Sequence, residues 1–111
     1  MIALPVRGRD AEAQLIRRLL SVAGAAGLAI TAERPHARPW ASATFAGTQV
    51  SLVLAAPRSP VLGRWIADLP LADLPLRGHL VASVAIDSID DDGTTVRVAI
   101  TVLVIEEAAE G

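Results

Sequence analysis

The chain contains no cysteine, no tyrosine and no lysine, and only one phenylalanine, one methionine and two tryptophans. Without cysteine there is no disulfide, no thiolate nucleophile and no cysteine-ligated metal. Without lysine, Schiff-base chemistry is closed, and without tyrosine the usual phenolic acid is missing. No apolar run reaches the roughly 20 residues a membrane-crossing helix needs. The longest candidate, Leu19 to Ala32, is shorter and rich in alanine and glycine. Arg17-Arg18 before it and Ile30-Thr31-Ala32 at its end imitate a secretory signal. A long leading segment with Asp10 and Glu12 stands where such a signal would be short and positive. The expectation is therefore a cytoplasmic protein without a membrane segment.

What is present is apolar bulk. The 111 residues are 52% hydrophobic and carry a formal net charge of −2. That suits one packed domain spanning residues 1–111 and excludes wholesale disorder, which needs low hydrophobicity and high net charge. Cations that are all arginine, in an alanine-rich chain, point to a bacterial source with a GC-rich genome.

Local patterns divide the chain. Ile2 to Val6 reads as a short edge strand limited by Pro5. Asp10 is placed to cap a helix whose Leu15, Ile16, Leu19, Leu20 and Ala23 form one apolar stripe, with Gly27 as its left-handed stop. Leu28 to Glu33 reads as a strand, and Arg34 to Pro39, with two prolines, as a loop. A hairpin turning at Ala46-Gly47 would set Ala41, Ala43, Phe45, Val50, Leu52 and Leu54 on one face. Ser59-Pro60 opens a second helix with Val61, Leu62, Trp65, Ile66 and Leu69 inward and Pro70 as its stop. The repeat Asp68-Leu-Pro-Leu and Asp73-Leu-Pro-Leu follows as an extended connector whose leucines cap the core.

The last third alternates clearly. Leu80, Ala82, Val84 and Ile86 form one set, and Val96, Val98, Ile100, Val102 and Val104 another. A three-residue loop, Asp91-Asp92-Gly93, pairs Ile86 with Val98 and keeps both sets on one face. The expected fold is α+β, with two helices on one face of a mostly antiparallel five- or six-stranded sheet. Its element order resembles a ferredoxin-like plait with an added hairpin.

Chemistry is harder to find. Ser88, Asp90 and Asp92 match the first three ligand positions of a calcium loop, but Ala99 occupies the position of the bidentate glutamate and the segment is strand. Hydrated aspartates at a hairpin tip are the simpler reading. His36 and His79 are the two imidazoles, and neither has a ligand partner at local spacing. A serine elbow and a phosphate-cradling glycine loop are both absent from the sequence. An enzyme would have to gather His36, His79 or Asp87 in a polar cleft. The sequence therefore assigns no catalytic residue, no metal ligand and no cofactor.

Charge and apolar excess remain. Residues 1–65 hold eight arginines against three acids, and residues 66–111 hold two against nine, giving +5 and −7. Arg34, Arg38 and Trp40 together could touch nucleic acid, but an acidic domain argues against that partner. Trp40, Val53, Val81, Leu103 and Ile105 fall opposite the expected core, so an uncovered sheet face would carry them as an apolar patch. The leading expectation is a non-catalytic module that binds a second copy of itself, or another protein, through that face or through the last strand. The alternative is a small apolar ligand held between sheet and helices by Phe45, Trp65 and Leu74.

Overall fold

The computed structural model describes residues 4–107. Helix α1 (Leu4–Ala25) leads into strands β1 (Thr31–Ala41) and β2 (Ala46–Pro57). Helix α2 (Pro60–Asp68) with a short 3-10 turn (Leu69–Leu71) then precedes β3 (His79–Asp91) and β4 (Thr95–Glu106). The four strands form one antiparallel sheet in the order β1-β2-β4-β3. Two hairpins are thus joined side by side through β2 and β4.

The core lies between this sheet and the helices. Ala11, Leu15, Leu19 and Ala23 of α1 are buried, and α2 contributes Leu62 and Ile66. Facing them are Val50, Leu52 and Leu54 of β2 and Val96 through Val104, at alternate positions, of β4. Period-2 and period-3.6 apolar patterns therefore meet on one side of the sheet. Gly27, at φ 81°, ends α1 in a Schellman motif: its amide donates to the carbonyl of Gly24, and that of Leu28 to the carbonyl of Ala23 at 2.9 Å. Ser59 caps α2 by accepting from the amide of Leu62 at 3.1 Å, and Pro60 takes the first helical position. Of the proline-leucine repeat, Leu69 and Leu74 are buried and Leu76 is half-buried, whereas Leu71 projects into solvent.

Several sequence expectations are corrected. The sheet has four strands, not five or six, because the segment Arg34 to Pro39 is itself strand. β1 is an edge strand, where a proline lacking its N–H sacrifices no inner ladder bond. Pro35 sits in a bulge between Glu33 and His36, next to Arg34 at φ 53°. The hairpin turns earlier than expected, pairing Ala41 with Ala46. Ser42 Oγ accepts from the amides of Thr44 and Phe45, which makes a side-chain-stabilised turn cheaper than the Ala46-Gly47 one. The expected leading strand is not seen: Leu4 to Val6 lie in α1, and Ile2 lies outside the described residues. Asp10 consequently stands inside the helix rather than at its cap. In β3, Ile86 pairs with Ile100 rather than Val98, and bulges follow Val81 and Ile86.

Candidate functional site: the uncovered face of the sheet

Both helices lie on one face, and no described element covers the other. Register fixes the residues of that face in cross-strand rows. At one end, Trp40, Gly47, Ile105 and Leu80 line up across β1, β2, β4 and β3. The next row is Arg38, Gln49, Leu103 and Ser83, followed by His36, Ser51, Thr101 and Ala85. Beyond it come Glu33, Val53, Ala99 and Ser88, and then Thr31, Ala55, Arg97 and Asp90.

The face is thus divided along its length. Its first end is apolar, with Leu80 57% exposed and Trp40, Leu103 and Ile105 half-buried. The remainder is more polar, and three pairs of polar side chains bond across it. Arg38 Nε donates to Gln49 Oε1 at 3.2 Å, Thr101 Oγ1 donates to Asp87 Oδ2 at 2.6 Å, and Arg97 pairs with Glu33 at 3.3 Å. Val53 lies apart from the apolar end, within the polar part. Gly47 is required where it stands, because a Cβ there would run into the carbonyl oxygen of Val104.

Of the residues assigned to this face from sequence, Trp40, Val53, Leu103 and Ile105 lie on it and Val81 does not. Val81 pairs with Val104 and packs against the core. The bulge after Val81 reverses the alternation, so Leu80 takes the outward place instead. The last strand also changes its meaning. β4 is paired on both sides and offers no edge, which removes it as an edge-pairing surface. The true edges are blunted: β1 carries Pro35, Pro39 and a bulge, and β3 carries two bulges with Asp87, Asp90 and Asp91.

The residues named for an apolar pocket are spread out. Phe45 is exposed in the β1–β2 turn, whereas α2, which holds the half-buried Trp65, follows the opposite end of β2; Leu74 is buried in the core. A groove of about 390 Å³ does lie between α2 and the β3–β4 hairpin, with Leu62, Ile66, Ile89 and Val96 among its walls. Arg58 and Asp91 form an ion pair at 2.9 Å beside it.

The titratable residues do not converge. His36 and Asp87 sit on the open face, while His79 is buried on the helix side with Nε2 3.2 Å from Asp10 Oδ2. Its Nδ1 is buried without a hydrogen-bond partner among the described residues. Hydrogen bonds from Gln14 and then from His79 hold the Asp10 carboxyl below the usual carboxylate range. At the hairpin tip, the Gly93 amide and then Arg58 lower Asp91, and the amides of Thr95 and Thr94 lower Asp92. The acidic run therefore stabilises its own turn, a role the sequence pattern of Asp followed by Gly and Thr already signals. The Asp10–His79 pair has no such signal, since its members lie 69 positions apart. No helix among the described residues is long and apolar enough to cross a membrane. No protein-family model, curated protein or solved structure matches the chain.

Proposed function

We propose that this domain is a non-catalytic association module whose uncovered sheet face docks on a second copy of the chain. The observation that carries this reading is the outward row Trp40, Gly47, Ile105 and Leu80, apolar from one edge of the sheet to the other. Strands spaced about 4.8 Å apart make the face about 19 Å wide, and Gly47 to Ala55 make it about 27 Å long. That is about 500 Å² in projection, and projecting side chains bring it towards the about 800 Å² per partner typical of a specific interface. Blunted edges disfavour strand addition, which leaves face-to-face docking about a two-fold axis, apolar end on apolar end. The cytoplasm of a bacterium is the setting that composition supports for such a module, with no cysteine to oxidise and arginine as its sole cation.

The test is native mass spectrometry of the purified chain and of Leu80→Asp and Ile105→Asp. A dimer or higher oligomer that both variants reduce to a folded monomer is the expected result. A wild-type monomer at tens of micromolar refutes the reading.

A second reading, binding of a small apolar molecule, is favoured by the groove between α2 and the hairpin. Its about 390 Å³ falls within the size range of ligand pockets. The same spectra test it: a retained mass of a few hundred daltons supports it, and its loss in Ile89→Asp places the molecule there.

A further inference from the structure

A second groove, of about 480 Å³, opens on the helical side of the molecule between α1 and the loop entering β3. Gln14, Arg17, Arg18, Ser21, Pro75, Leu76 and Arg77 line it. We propose that this groove binds a small phosphate-bearing ligand through the guanidinium groups of Arg17, Arg18 and Arg77.

The groove is built, not left over. Gln14 clamps the main chain of Arg77 from both sides, donating to its carbonyl at 3.0 Å and accepting from its amide at 2.7 Å. Arg18 Nε donates to the carbonyl of Pro75 at 3.0 Å. That bond engages Nε and leaves the two terminal amino groups of a groove-lining guanidinium available to a ligand. Arg77 stands in the tight turn between Leu76 and His79, with Gly78 left-handed at φ 77°. Two fixed walls thus carry three cationic side chains into one space. A guanidinium fork matches a phosphate oxygen pair with two parallel N–H bonds.

The charge is not cancelled from within. None of the three arginines forms an ion pair with a carboxylate among the described residues. Asp10 is the nearby carboxylate; it feels the charge of Arg17, but its hydrogen bonds go to Gln14 and His79. One exposed ion pair contributes little in water, so binding depends on several guanidinium groups acting on one multivalent anion. A phosphate group, with about two negative charges at neutral pH, supplies that valence in the smallest volume. The rest of the molecule brings the net charge to −2, which disfavours an extended polyanion and favours a ligand confined to the groove.

Isothermal titration with pyrophosphate at constant ionic strength tests the assignment, using the full chain. One pyrophosphate is expected per chain. Arg17→Ala and Arg77→Gln should each weaken it at least tenfold, while Arg64→Ala, on exposed α2 surface outside the groove, leaves it unchanged. Because Gln14 holds the main chain of residue 77 and not its side chain, Arg77→Gln keeps the fold, and far-UV circular dichroism confirms this. Absence of binding at millimolar pyrophosphate overturns the proposal, as does equal weakening by Arg64→Ala. Citrate binding as tightly as pyrophosphate overturns the phosphate assignment in favour of a carboxylate ligand.

Discussion

Gly47 offers the sharpest test of the sheet geometry, because the same chemical change has the opposite sign elsewhere in the molecule. In Gly47→Ala the added methyl would meet the carbonyl oxygen of Val104, with Ile105 Cα at 3.0 Å and the carbonyl carbon of Val104 at 3.1 Å. All three are main-chain atoms of β4, a strand held on both sides, so none can swing away. Relief requires opening the β2–β4 ladder at this row. That forfeits one or two hydrogen bonds worth about 1 kcal/mol each, and leaves groups unpaired at a further 1–3 kcal/mol. The expected loss is about 2–5 kcal/mol, a large share of the roughly 5–15 kcal/mol that holds a domain folded. Gly24 and Gly63 lie within α1 and α2 with open space where a Cβ would go. Alanine at either should stabilise the protein by about 0.5–1 kcal/mol through helix propensity. Urea unfolding followed by fluorescence of Trp40 and Trp65 measures all three. A Gly47→Ala variant within about 0.5 kcal/mol of wild type would show that β2 and β4 are not packed as described.

Two further outcomes follow from local bonds. Ser59→Ala removes the oxygen that accepts from the Leu62 amide and should cost about 1 kcal/mol of stability, seen as a lower urea midpoint with unchanged slope. Asp10, Asp91 and Asp92 all have carboxyls lowered from 3.8 by bonds present only in the folded state. Below 3.8 the unfolded chain takes up their protons first, so their contribution is whole above that value and is lost as pH falls through the lower folded values. Urea midpoints should therefore fall on acidification below 3.8, modestly because these carboxyls are exposed, and Asp91→Asn should make that fall shallower.

What the sequence made legible was what depends on near neighbours. The stripe around Leu15 and Leu19, the Ser59-Pro60 start, the Gly27 stop and the alternation from Val96 to Val104 each follow from residues within a turn or two of one another. Trp40, Val53, Leu103 and Ile105 could be assigned to one face because each lies in an uninterrupted stretch of its own strand. What stayed hidden depends on distant parts of the chain. Two prolines between Arg34 and Pro39 read as loop until β1 is known to be an edge, and edge position is a property of the whole sheet. The bulge after Val81 exchanges Val81 for Leu80 on the open face, and nothing in Leu80-Val-Ala-Ser marks it. β4 was readable as a strand but not as an inner one. The arginine groove joins residues of α1 to the loop at Pro75–Arg77, some 57–63 positions away, so no local pattern could assemble it.

The place of β4 also orders events during synthesis. It follows β1, β2 and β3 in the chain, yet it lies inside the sheet and, among the described residues, supplies the pairing between the two hairpins. Until residues 95–106 leave the ribosome, β2 has one bare edge, and the α1 stripe has half its sheet to rest on. A lone two-stranded hairpin is marginal in water, so the emerging chain gains little by settling early. Joining β2 to β4 also closes a loop running from Arg58 to Thr94, whose entropy must be met in one step. Folding should therefore be late and all-or-none. A chain truncated before Thr95 should present apolar strands that chaperones bind, whereas one that includes the whole of β4 should fold.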